Sequence, residues 1–294
     1  MASPVAQSGV LGCGVPFAQI GSGGRPLVVF DSFRVEHKPA EGLVLQGMRD
    51  AYESYVNAGR TVFVVERRGE MPIDYDFDDI TGDYVAALAE IAAESDASAG
   101  VDVLGIGAGG MFALAAAAQA AGRQTAAQAA GRQTAAQGFP ISRLAVVAAA
   151  DRMTGEARDA AEQWRGSVEE LHWRQVHGRM VRWSYGGVAG LFYGALAWLF
   201  PELLGTTDYP WDFFITLREI AQADIADRLG QIAVPTLLIA GERDRLFSAE
   251  LAEAAAARIP KAELLVLPGA GHGLVKTHRR EVERRVSRFF EGTA

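Results

Sequence analysis

A single cysteine, Cys13, stands in a chain of 294 residues. No internal disulfide can form, which points to a reducing compartment, and with no histidine near it in sequence the thiol reads as inert and buried. The opening residues Met1-Ala-Ser-Pro-Val lack a basic segment followed by an apolar core, so no secretory signal is read there and a cytoplasmic location is expected. Positive charge is in deficit: 28 Lys and Arg against 36 Asp and Glu leave a net charge of −8, which argues against nucleic acid as a partner and makes membrane association an unfavoured reading. No set of His, Cys and carboxylates has metal-ligand spacing, and no glycine-rich turn is followed by an acid suited to a dinucleotide ribose. A site with no cofactor and no metal is the expectation.

Apolar residues are plentiful, at 49% of the chain, and 294 residues suit one α/β core with an inserted subdomain better than two independent domains. Apolar strands alternate with helical stretches in the manner of a mostly parallel sheet. Strands are read at Pro26–Asp31, Thr61–Glu66, Val101 onward, Arg143–Ala148, and near Thr236 and Glu263. Helices are read at Gly42–Asn57, Asp76–Glu94, from Gly109, at Ala249–Arg258 and at Lys276–Phe290. Tyr84, Leu88 and Ile91 share one face of the second helix. In such open sheets ligands bind beyond the carboxyl ends of the strands, where Asp31, Glu66, Gly107, Asp244 and His272 all fall.

The run Val101-Asp-Val-Leu-Gly-Ile-Gly-Ala-Gly-Gly-Met111 reads as strand, sharp turn and helix start. Gly105, Gly107 and Gly109 give G-x-G-x-G where a nucleophile elbow has G-x-S-x-G, so the turn is present and the nucleophile is not. Further on, Val234-Pro-Thr-Leu-Leu-Ile-Ala-Gly-Glu-Arg-Asp244 is a strand ending in an acid, and Leu265-Val-Leu-Pro-Gly-Ala-Gly-His-Gly273 a strand ending in a histidine. Together these segments resemble the α/β-hydrolase superfamily, with Gly107, Asp244 and His272 at the nucleophile, acid and histidine positions in chain order. The resemblance implies an α/β-hydrolase fold: a mostly parallel central sheet, helices on both faces and an inserted helical cap. It divides the chain into a first core part at 1–150, a cap at 151–225 and a second core part at 226–294.

The resemblance also implies an oxyanion hole built from the N–H of Ala108 and, in the turn after the first main strand, of Phe33. That turn has Asp31 and Ser32 where a His-Gly pair is usual. An inward Asp31 carboxylate would repel a developing anion or act as a second base, and Ser32 is a weak candidate for a relocated nucleophile. Glu66, Arg68 and Gly69 partly match a family pattern whose role is structural, with Arg67 or Arg68 making salt bridges. His172 and His177 read as solvated, and the interleaved charges of 278–288 as a solvated helix face.

The middle of the chain holds all five tryptophans, Trp164, Trp173, Trp183, Trp198 and Trp211. Two thirds of its aromatic rings are expected to pack the cap, while Trp183, Tyr185, Phe192 and Trp211, with Asp31 and Ser32, are candidates to touch substrate. Trp183 to Phe200 carries no charge; its four glycines favour a buried lid element over a membrane span, and Gly190 and Gly194, one turn apart, allow close helix packing or a homodimer contact. Ala120–Gln128 repeats at once as Ala129–Gln137. Nine residues turn a helix by roughly 900°, half a turn net, so the copies share no face and read as a lengthened surface connection.

A retained His272–Asp244 pair without a nucleophile favours general acid/base chemistry on an apolar or aromatic small molecule: cyclisation, elimination or a carbon–carbon bond reaction. Family members that catalyse lyase and cofactor-free oxygenase reactions, and others in natural-product pathways, imply the same. Attack by His-activated water, a serine enzyme whose serine was replaced, and a non-catalytic binding protein are the alternatives.

Overall fold

The computed structural model describes residues 5–31, 34–95, 97, 100–129, 141–185, 187–200, 207 and 210–292. Eight strands form one sheet: β1 (Ala6–Val10), β2 (Pro16–Ile20), β3 (Arg25–Phe30), β4 (Arg60–Val65), β5 (Val101–Ile106), β6 (Ile141–Val147), β7 (Thr236–Gly241) and β8 (Ala262–Leu267). Their order is β1-β2-β4-β3-β5-β6-β7-β8. β1 pairs antiparallel with β2, and β2 with β4, while the pairings from β4 through β8 are parallel. The register sets Phe30 beside Gly105, Gly105 beside Val146 and Val147 beside Ile239, so the carboxyl ends of five strands reach one edge.

The parallel strands read as continuous apolar runs because helices cover both faces. Val28 and Phe30 of β3 enter one core with α2 (Phe77–Glu94) and α3 (Ala108–Ala129), whereas Leu27 and Val29 enter the other with α1 (Gly42–Asn57) and α10 (Arg279–Glu291). Period-two alternation in the strands therefore supplies two cores. Helix α2 begins at a capping box between Asp76 and Asp79 and buries Tyr84, Leu88 and Ile91, the face expected of it. Phe30 stacks on Tyr84 with ring centroids 4.1 Å apart.

The edge hairpin β1–β2 was not among the expected strands. Ala-Gln-Ser-Gly-Val at β1 has little apolar alternation, and its pairing with β2, with no burial pattern of its own, makes it a strand. The expected last helix is two: α9 (Leu274–Thr277) and α10, broken at His278. The first copy of the repeat continues α3; residues 130–140, most of the second copy, lie outside the described residues.

Between β6 and β7 come α4 (Gly155–Glu169), capped by Thr154, α5 (Trp173–Tyr185), α6 (Gly187–Leu199) and α7 (Trp211–Gln222), followed by a short 3-10 turn at Ala226–Gln231. Two of the cap's expectations fail. Trp164, Trp173 and Phe213 are buried, but Phe192, Tyr193, Trp198, Phe200 and Trp211 are exposed, so packing accounts for fewer of its rings than two thirds. The charge-free stretch is not a buried lid: most of α6 faces outward, because its closest approach to α5 is made by small residues, with Tyr193 and Trp198 at the margins of that contact. His177 is also not solvated; it is buried and stacked on Trp173 at 5.9 Å.

Candidate active site

At the end of β5 the chain turns through Gly107 at φ +54°, in the left-handed region, with its N–H donated to Val147 O at 2.9 Å. A side chain would be strained there, and glycine is not. Helix α3 starts at the next residue, Ala108, so the leading N–H groups of a helix sit beside the turn. A Cβ at Gly109 would lie 2.1 Å from Phe30 O and 2.6 Å from Asp31 O, so glycine there lets the β3 turn lie against the helix start. The elbow's backbone is intact.

At the same sheet edge, His272 Nδ1 lies 3.0 Å from Asp244 Oδ2. Asp244 Oδ1 accepts the N–H of Leu246 at 2.8 Å and of Phe247 at 3.1 Å, so three hydrogen bonds fix the carboxylate. A carboxylate on Nδ1 selects the tautomer with its proton there and leaves Nε2 to exchange a proton. Phe247 adds a ring 5.8 Å from the imidazole, and the Asp244 side chain is wholly buried while His272 keeps 15% of its surface. Leu246 and Phe247 were missed in sequence; an Asp followed at two and three residues by N–H groups is an Asx-turn, a signal that was there to read.

The cap docks on these two loops. Gly273 N donates to Ser184 O at 3.0 Å, and a Cβ on Gly273 would lie 2.5 Å from the ring of Tyr185, so this ring rests on the His272 loop. On the acid loop, Arg245 lies over Trp183 at 4.3 Å, Trp183 meets Trp164 edge-on at 6.3 Å, and Thr154 Oγ1 donates to Arg245 O at 2.7 Å. Of the four cap aromatics named from sequence, Tyr185 and Trp183 are at the dyad's loops. Phe192 packs edge-on against Tyr193 with 66% of its surface exposed, and Trp211 packs on Phe214, so neither is placed against the dyad.

The β3 turn is held by a buried charged cluster. Arg34 donates to Glu66 at 2.8 Å, and Arg67 donates to Arg34 O at 3.0 Å and to His37 Nε2 at 3.2 Å. His37 Nδ1 in turn donates to Arg68 O at 3.0 Å. With Nε2 accepting, this ring is neutral, and burial followed by the adjacent Arg67 guanidinium pushes its pKa well below the usual histidine value. Burial likewise raises Glu66, against the opposing pull of Arg34 and Arg67. Asp31 is hydrogen-bonded by the buried Tyr52 of α1, which ties down the carboxylate considered as a second base. Ser32 and Phe33 lie outside the described residues.

Arg68 forms the expected salt bridge, gripping Asp83 through two nitrogens at 2.9 and 2.8 Å. Cys13 is half-buried rather than buried, and desolvation raises its pKa, which lowers its share of thiolate. His172 is exposed beside Glu170. A groove of about 250 Å³ lined by Asp76, Phe77, Glu219 and Arg228 lies between α2 and the end of α7, on elements other than those carrying the dyad. Among the described residues, no three His, Cys, Asp or Glu are grouped to hold a metal ion.

The sequence model of the Alpha/beta hydrolase family matches residues 44–285. A pimeloyl-[acyl-carrier protein] methyl ester esterase of Xanthomonas campestris pv. campestris is 40% identical over 70 residues, 24% of this chain; the match spans 28% of that relative's length. Among solved structures, the enol-lactonase of Burkholderia xenovorans LB400 superposes with a TM-score of 0.70 at 14% identity, covering 97% of this chain and 100% of that one. A bromoperoxidase of Bacillus anthracis gives a TM-score of 0.71 at 16% identity, with 97% and 100% covered.

Proposed function

Because the chain belongs to the alpha/beta hydrolase family, we propose that it is an enzyme of that fold working without a covalent intermediate on residue 107, with His272 as general acid/base and Asp244 as its orienting partner. The observation that carries this reading is the 3.0 Å His272–Asp244 hydrogen bond at the same sheet edge as a turn whose elbow position is glycine. Glycine has no atom to attack a substrate, while the dyad keeps the parts needed to move a proton. The substrate is an apolar or aromatic small molecule, bound on the side of the loops that Tyr185 and Trp183 cover. His272 Nε2 removes a proton from carbon or hydroxyl, the imidazolium is stabilised by Asp244, and the proton is returned to the product. Cyclisation, elimination and carbon–carbon bond reactions all fit that cycle.

Turnover of apolar candidate substrates in D₂O tests this reading. Deuterium placed on product carbon, lost in His272→Ala, is the expected result; full activity in that variant removes His272 from the mechanism. A serine-reactive phosphonate should leave the protein unlabelled, and a covalent adduct would sink the nucleophile-free scheme.

A second reading has support from the preserved elbow and from the esterase named among the relatives. In it, His272 activates a water that attacks an ester, and N–H groups at the start of α3 receive the developing oxyanion. Hydrolysis in ¹⁸O-labelled water would then place the label in the acid product. If Gly107→Ser gains esterase activity through an acyl-enzyme, the oxyanion donors are in working order.

A further inference from the structure

Helix α6 is thirteen residues without a charge. It meets α5 through Gly190, Gly194 and Ala197: a Cβ at Gly190 would lie 2.8 Å from Arg182 O, and one at Gly194 3.0 Å from Gly178 O. The small residues are thus used up against α5, Tyr193 and Trp198 flank that contact, and Val188, Leu191, Phe192, Leu196 and Leu199 are left to solvent. Val188 is 83% exposed, Leu191 56% and Trp198 49%, with Phe192, Leu196 and Leu199 also exposed. A continuous apolar face of this kind marks an interaction surface rather than ordinary exposure of single residues.

Within the α5–α6 hairpin the charges have one sign. From Trp173 to Phe200 there are three arginines, Arg174, Arg179 and Arg182, and no Asp or Glu, in a chain whose net charge is −8. All three are exposed. Arg174 lies over the Trp198 ring at 5.7 Å and donates to the carbonyls of Trp198 at 3.3 Å and Leu199 at 3.4 Å, which sets a cation at the rim of the apolar face.

We propose that the α5–α6 hairpin docks on an anionic phospholipid surface, with α6 in the plane of the interface and the α5 arginines against the headgroups. The combination of an uncharged apolar face, interfacial Trp and Tyr, and flanking arginines is what such a surface recognises. At about 1.5 Å per residue, α6 is about 20 Å long, short of the roughly 30 Å hydrocarbon core, so it lies on the bilayer. The acidic balance of the whole chain hid this, because the hairpin's own charge is opposite. A second copy of the chain fits less well: two such faces brought together would also bring arginines against arginines. The face is continuous with the site's cover, since Tyr193 packs on Tyr185 at 5.1 Å and Tyr185 rests on the His272 loop.

Co-sedimentation with vesicles of phosphatidylcholine alone, and with about a quarter phosphatidylglycerol, tests the docking on the intact chain. Binding to the anionic vesicles on the order of tenfold tighter than to neutral ones is expected, with the gain removed in Arg174→Gln/Arg182→Gln. Leu191→Ser/Leu196→Ser, two exposed positions, should abolish binding while the far-ultraviolet circular dichroism and melting temperature stay unchanged. Brominated lipid should quench Trp198, read as the difference from Trp198→Phe. No binding to either vesicle overturns the proposal, as does binding that the Leu191/Leu196 variant retains. A parent dimer in sedimentation equilibrium that this variant dissociates, with no vesicle binding, overturns it in favour of a self-interface.

Discussion

Two wholly buried carboxylates stand at opposite edges of the same sheet. Asp102, near the amino end of β5, is paired with Arg25 at 3.1 Å and with Arg60, the first residues of β3 and β4. Asp244, beyond the carboxyl end of β7, is paired with His272 and two backbone N–H groups. The partners decide the role. Arginine stays charged at every accessible pH, so Asp102 sits between fixed cations and fastens three strand ends together; burial raises its pKa against their pull. His272 keeps a second ring nitrogen, Nε2, that can take up or give a proton, so Asp244 is bonded to a group that can do chemistry.

Breaking the His272–Asp244 end has the largest expected effect. Asp244→Asn should lower kcat/KM by about 10³–10⁴-fold with little change in melting temperature, since the amide keeps the shape but loses the orienting charge. Steady-state kinetics beside a thermal melt separates the two quantities. Asp102→Ala should do the reverse: a stability loss of about 3 kcal/mol, because Arg60 is left largely buried without its anion, and unchanged turnover per folded molecule. For a chain of this size that is roughly 6–12 °C in melting temperature.

A third titratable group sharpens the contrast through pH. His37 is neutral in the fold, its pKa well below the usual value, whereas the unfolded chain binds a proton there near pH 6.5. The unfolded state therefore holds more protons below that pH. This group's stabilising contribution is present above about pH 6.5 and is lost as pH falls towards the folded value, by up to about 1.4 kcal/mol per unit. His37→Gln should flatten the urea-unfolding free energy between about pH 5.5 and 7.5. The smallest effect is expected at the cap: Arg245→Gln removes the cation from Trp183, costing about 0.5–1 kcal/mol, read as faster amide exchange in α5 with the melting temperature nearly unmoved.

The dyad was legible because each member ends an apolar strand in a run of turn residues, and chain order then orders the site. Helix α1 was legible to the residue at both ends, and α2 nearly so. The edge hairpin was not, because β1 has no periodicity and exists by pairing with β2. The orientation of α6 was not legible either: a charge-free run looks buried in sequence, and only packing shows that its glycines make the closest approach to the neighbouring helix while most of its large residues stay exposed. The hold on Asp31 by Tyr52, from a helix on the other face, is likewise a product of the assembled fold.

The left-handed turn at residue 107 has a bearing on how such a chain changes over time. An L side chain held at that φ costs about 1–2 kcal/mol, a load that glycine lifts from the elbow. Half of the glycine codons lie one base from a serine codon, and from any of those a single nucleotide separates this relaxed turn from a loaded one. Since contacts such as Gly109 against Phe30 and the Gly107 N–H on Val147 O hold the turn without a side chain at residue 107, that step stays open to drift. A lineage could cross it in either direction without rebuilding the sheet.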